Sequence, residues 1–141
     1  MAATDLNTVR ATVEGRLATE LASNPVIPVA FHNMPYTPTP NSSWCQCLVS
    51  FAGSSFETMG GTTDSTNLIT GVVLINIFSA AGVGPGANLT IGKRIRDLYN
   101  RVNVSGVRFD SPTGPEVIAS ANPEGYFQTQ VRCTFETFEE L

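Results

Sequence analysis

The chain has 141 residues, 42% of them hydrophobic and only 14% charged, with a net charge of −4. That length buries a real core without disulfides or metal, and eight Lys and Arg against twelve Asp and Glu do not make the basic stripe of a general nucleic-acid binder. A charged fraction well under the roughly 25% of an average soluble protein points to a surface partly covered by other subunits.

Residues 4–23 read as a helix. Leu6, Val9, Val13, Leu17 and Leu21 recur every three or four residues and form one apolar stripe. Thr4 or Asp5 is expected to cap the start, and Asn24-Pro25 to end it. Residues 26–34 read as a short strand with Ile27, Val29 and Phe31 on one face. Pro28 has no N–H to donate, so this strand is either at an edge or irregular there. Residues 36–43 hold Pro38 and Pro40 and are predicted to be an extended loop.

Residues 44–51 are predicted to be a strand with Cys45, Cys47, Val49 and Phe51 on one face. Residues 52–67 are rich in Gly, Ser and Thr and read as a long, mobile hairpin loop. Phe56 and Met59 are its anchors and Gly60-Gly61 its most permissive point. Residues 68–78 are the most apolar segment. Ile69, Val73, Ile75 and Ile77 alternate with Leu68, Val72, Leu74 and Phe78, so both faces are apolar and the strand is expected at the centre of a sheet.

A glycine loop at 80–87 leads to a second helix over 88–102, with Ile91, Ile95, Leu98, Tyr99 and Val102 facing the core and Asn88 as its cap. A short strand at 104–109, a turn at 112–115 and a short strand at 117–121 follow. Asn122-Pro123-Glu124-Gly125 turns the chain into a last strand. There Phe127, Val131, Cys133 and Phe135 alternate with Gln128, Gln130, Arg132 and Glu136, as in a sheet with one buried face. The whole of 1–141 reads as one α+β domain: a single mainly antiparallel β-sheet with two helices packed on one face.

Chemistry is sparse. The apolar run Val72-Val73-Leu74-Ile75 is far short of a membrane span, and the N-terminal residues lack the basic start and apolar core of a signal peptide, so synthesis and use in a cytoplasm are expected. Cys45 and Cys47 have C-x-C rather than C-x₂-C spacing, and His32 is the single histidine, so no metal site is expected. The three cysteines read as small buried hydrophobes. His32 has no marked nucleophile or orienting acid, and no pair of carboxylates stands out, so no catalytic residue is assigned.

Gly82-Val83-Gly84-Pro85-Gly86-Ala87 fits G-x-G-x-x-A loosely. Pro85 removes a backbone donor, no acid lies about 20 residues on, and the chain has no room for a second βαβ unit. The stretch reads as a flexible connection, and no cofactor is expected. The second helix carries half of the cations: Lys93, Arg94, Arg96 and Arg101, against Asp97. A solvated helix face is the plain reading. The functional one is a basic patch that meets the acids Glu136, Glu139 and Glu140 of a neighbouring copy. Contact with DNA phosphates is less favoured, given the negative total.

Over nearly its whole length the chain resembles the phage tail-terminator-like proteins. The resemblance runs through the helix ending near Leu21, then Phe31-His32-Asn33-Met34-Pro35-Tyr36-Thr37-Pro38, then a strand starting at an aromatic, here Trp44. It continues through Gly71-Val72-Val73-Leu74-Ile75-Asn76-Ile77-Phe78, the glycine loop, the helix at about 89–102 and the final alternating strand. The resemblance does not extend to the particular residues Trp44-Cys45-Gln46-Cys47 or to the long loop at 52–67, and it assigns that loop no role. The resemblance implies a structural, non-enzymatic virion protein of the tail or neck, assembled in the host bacterial cytoplasm. It implies a ring, typically of six subunits, that caps the finished tail tube and stops its polymerisation. Its partners would be the tail-tube protein and the head–tail connector or neck proteins, with DNA passing through the lumen without specific binding. A head-to-tail interface that closes on itself builds such a ring. Two alternatives stay open: a neck or head–tail connector protein or a tail-tube subunit, and, in a different class, a small nucleotide- or ligand-binding domain.

Overall fold

The computed structural model describes residues 5–23, 26–32, 34–38, 42–56, 66–82, 84–119 and 125–140, with backbone alone at 54–56, 139 and 140. Helix α1 spans Leu6–Leu21. Asp5 starts it from an extended conformation, its carboxylate accepting from the Asn7 N–H at 2.9 Å and the Thr8 hydroxyl at 3.1 Å. An uncapped helix start leaves such donors orphaned, and this Asp satisfies one of them. Four of the five predicted stripe residues are buried, Val9, Val13, Leu17 and Leu21 being 4% exposed or less, whereas Leu6 in the first turn is 42% exposed.

The strands are β1 (Val29–Phe31), β2 (Trp44–Phe56), β3 (Thr66–Ala80), β4 (Asn103–Val104), β5 (Val107–Phe109), β6 (Thr113–Ile118) and β7 (Tyr126–Glu140), with α2 (Gly86–Tyr99) between β3 and β4. They form one sheet in the order β1-β2-β3-β7-β5-β4, and β6 also pairs with β7. Every pairing is antiparallel except β1 with β2. The predicted α+β architecture is therefore the observed one. β3 lies between β2 and β7, as its apolar composition predicted, and runs in register with β7 from Thr66↔Glu140 to Ala80↔Tyr126. β1 is an edge strand, one of the two outcomes that Pro28 allowed, and it begins just after the proline.

Both helices cover the same face of the sheet. Their buried side chains join Cys45, Cys47, Val49, Val73, Ile75, Ile77, Val131, Cys133 and Phe135 in one core. The second face of β3 is not covered in the same way. Phe78 is buried in a small aromatic cluster with Trp44 and Ala30, flanked by Tyr36 and Tyr126, whereas Leu68, Val72 and Leu74 are half-buried. An apolar strand in mid-sheet was expected to be dry on both sides, and here it is dry on one.

Several boundaries differ from those expected: β1 is Val29–Phe31 rather than 26–34, and α2 is Gly86–Tyr99 rather than 88–102. β2 runs on to Phe56 and β3 begins at Thr66: Ala52 and Gly53 form an irregularity, and Ser54, Ser55 and Phe56 resume pairing with Ile69, Leu68 and Asn67. Phe56 opposes Asn67 and belongs to the ladder, not to a loop; cross-strand hydrogen bonding outweighs the poor strand propensity of Gly and Ser. Met59, Gly60 and Gly61 lie outside the described residues, as does the turn at 122–124. The strand expected at 104–109 is a tight hairpin, β4 and β5, turning at Ser105 (φ 50°) and Gly106 (φ 81°). Positive φ at both turn residues matches the twist of a two-residue hairpin, and glycine adopts it without strain. The turn expected around 112–115 is the start of β6, and the strand expected at 117–121 is its end.

Candidate interaction surface

Helix α2 was the sequence's candidate contact surface, and its cations divide into two kinds. Arg94 faces inward. Its guanidinium meets the Glu20 carboxylate at 2.9 Å and donates to the Glu20 and Ser23 carbonyls at the end of α1. Those carbonyls are orphaned by the helix end, and a guanidinium fork is well shaped to satisfy them. Arg94 thus ties the two helices together within one subunit. Arg16 does the reciprocal work, donating to the Leu98 carbonyl at 3.0 and 2.8 Å. Tyr99 adds a third tie, its hydroxyl donating to the Val13 carbonyl at 2.7 Å. Burial pushes that phenol well above the ordinary tyrosine range.

The remaining cations point outward. Lys93 pairs with Asp97 one turn on, at 2.5 Å, with both side chains mostly exposed. Arg96 donates to the Gly114 carbonyl at 2.7 Å. Arg101 is exposed, past the helix end, at φ 55°. Of the acids proposed to meet them, Glu136 pairs with Arg108 directly across β5 and β7. Glu139 and Glu140 oppose Asn67 and Thr66 in the ladder, and their side chains lie outside the described residues. The structure therefore leaves Lys93, Arg96 and Arg101 on the surface, while Arg94 and Glu136 already have partners in their own subunit.

Asn88 is not a cap. The helix begins at Gly86, with Pro85 at the cap position and no side-chain capping bond. Asn88 is fully buried, donating to the Ile77 carbonyl at 3.0 Å, the Phe127 carbonyl at 3.1 Å and the Ser79 hydroxyl at 3.2 Å, while it accepts from the Thr129 hydroxyl. One amide thus fastens the first turn of α2 to β3 and β7. Sequence position suited it equally to capping, and only the approach of the two strands decided between the roles. A few residues on, Gly92 has no room for a side chain: a Cβ there would sit 2.4 Å from the Pro115 ring.

The glycine loop before α2 borders a groove of about 460 Å³ lined by Gly82, Gly84, Pro85, Leu89, Val117 and Phe127. Its walls are apolar and present no cationic side chain to a phosphate. His32 is exposed, on the rim of a groove shared with Phe31, Met34 and the Arg10–Glu14 ion pair. All three cysteines are buried, and burial pushes each thiol up to about 12. They stay protonated at neutral pH and behave as core atoms.

The helix-free face of the sheet is the largest feature that the sequence reading did not single out. Beside the aromatic cluster lies a belt of amides: Asn76 donates to Gln46 and accepts from Gln128 and Gln130, each at 3.0 Å. Beyond it come the rows Leu48–Leu74–Arg132, Ser50–Val72–Thr134 and Leu68–Phe138. Leu48, Leu68, Val72 and Leu74 are half-buried and Phe138 is 45% exposed. Period-two alternation gives the two faces of a strand but not which face the helices cover.

No family model matches the chain, and no curated protein matches it. A solved structure whose name states no function is similar in fold, with a TM-score of 0.61 at 18% identity over 98% of this chain and 96% of the other. That likeness extends over both helices and the sheet, and at this identity it bears on the fold alone.

Proposed function

We propose that the chain is a structural virion protein of a tailed bacteriophage, a ring-forming tail terminator that caps the completed tail tube and offers the head-joining surface. The observation that carries this reading is the unequal use of the sheet. One face is sealed by both helices, and the other keeps Leu48, Leu68, Val72, Leu74 and Phe138 partly open. A subunit that buries such a face only on assembly fits a ring better than a free monomer. The polar groups with buried partners, Asn88, Arg94, Arg16 and Tyr99, act within the subunit as ties. The family resemblance supplies the position in the virion.

The test is reconstitution. Purified chain is added to tail tubes lacking their terminator and viewed by negative-stain electron microscopy. A single ring at the head-proximal end of each tube, with tube length then fixed, is the expected result. Long tubes formed by the chain alone would identify a tube subunit instead. Absence of the chain from mature virions by mass spectrometry would sink the structural reading altogether.

A further inference from the structure

The sheet has open edges, and the chain treats them differently. An unpaired strand edge presents a row of N–H and C=O groups that can capture another strand, and proteins commonly blunt it with short strands, proline or charge. β1 has three residues and follows Pro28. β4 has two residues. β6 contains Pro115 and the exposed Glu116. β2 is the exception. β1 covers it only at Cys45, Gln46 and Cys47. Over 49–56 its outer side has no backbone partner among the described residues. That stretch, Val-Ser-Phe-Ala-Gly-Ser-Ser-Phe, contains no proline and no charged residue. Ser50, Ala52 and Gly53 are exposed there. Among the described residues, the irregularity between Phe51 and Ser54 is the one protective device on this edge.

We propose that the outer edge of β2 over residues 49–56 is a pairing surface for the same edge of a second copy, so that two sheets join antiparallel about a two-fold axis. Two features select this occupant. The other described edges are short or carry proline, so a second copy has one good edge to offer, and it is this one. The segment is also uncharged, so laying it against itself opposes no like charges, which would otherwise destabilise a cross-strand pair. Such a contact is isologous, unlike the head-to-tail contact that closes a ring. The pairing therefore goes beyond the ring reading and does not depend on it.

The experiment is amide hydrogen exchange on the full chain across a concentration series, with mass measured in parallel by light scattering. The expected result is a dimer, with exchange in 49–56 slowed about tenfold or more as concentration rises through the dimerisation range. Ser50→Lys with Ala52→Lys should give a monomer with an unchanged circular dichroism spectrum and fast exchange in 49–56. A chain that stays monomeric at all concentrations overturns the proposal. So does an oligomer in which 49–56 exchanges as fast as in the monomer, which would leave a ring built on other surfaces intact. Protection that arises only when tail tubes are added would assign the edge to a strand of another protein and overturn the second-copy assignment. Edge-paired dimers that never cap tubes would uphold this proposal while the terminator reading fails.

Discussion

The two faces of the sheet are built from the same strands yet obey different rules. On the helix side, Cys45, Cys47, Val73, Ile75, Ile77, Val131 and Cys133 are fully buried and Phe135 is 1% exposed. On the other side, the same strands place Leu48, Val72 and Leu74 in half-buried positions, between an amide belt and an exposed Phe138. The closed face holds the fold, and the open face leaves part of its apolar surface to solvent. Hydrophobic stabilisation follows area removed from water, so a residue's face determines its energetic weight more than its type does.

Two phenylalanines on β7 sharpen this contrast most. Phe135→Ala should destabilise by about 3–5 kcal/mol, as large-to-small changes in a packed core do. The ring has aromatic neighbours in Phe51 and Phe109, with centroids 5.9 Å away in each case. Phe138→Ala, three residues on and 45% exposed, should cost less, about 1 kcal/mol, because only about half of its surface is removed from water. Urea unfolding of both variants measures the difference, and equal losses would show that the open face is already covered in the isolated chain.

Asn88→Ala comes next. It would leave the Ile77 and Phe127 carbonyls and the Thr129 hydroxyl without their buried partner, at a cost of about 1–3 kcal/mol for an unsatisfied group. The loss should concentrate at the junction of α2 with β3 and β7, visible as faster amide exchange in the first turn of α2. A stability equal to the parent protein's would mean that water replaces the amide.

The smallest effects separate the cations of α2. Arg94→Glu removes the tie between the helices and places a carboxylate beside Glu20, so about 2 kcal/mol should be lost, in the range of hydrogen bonds to charged groups. Arg101→Glu, on an exposed side chain, should leave monomer stability within about 0.5 kcal/mol. Lys93→Glu on the outer side of α2 and Arg101→Glu just past its end therefore test this surface for assembly without cutting the tie between the helices. Ring assembly that survives Arg101→Glu with Lys93→Glu would move the contacts away from this helix.

Much of the architecture was legible in the residues. Val9, Val13, Leu17 and Leu21 fixed the face of α1 because a 3.6-residue period leaves no alternative. The alternation of Val131, Cys133 and Phe135 fixed the face of β7, and Pro28 narrowed β1 to an edge or an irregular strand. The length of β2 was hidden, because Gly and Ser in 52–55 have low strand propensity and only pairing with β3 keeps them extended. The cut between β4 and β5 was written in Ser105-Gly106, a two-residue hairpin signal masked by the flanking valines.

Tertiary structure alone decided what the polar side chains do. Asn88 had the composition of a cap and Arg94 that of a surface cation, since local sequence records the donors a residue carries but not the acceptors brought to it. Those acceptors come from Ile77, Phe127, Glu20 and Ser23, between 11 and 74 residues away along the chain. The sequence by itself determined which residues share a face, because backbone periodicity is local. Which face is sealed, which edge is left open and which charges remain free were settled by packing, because each depends on where distant segments come to rest.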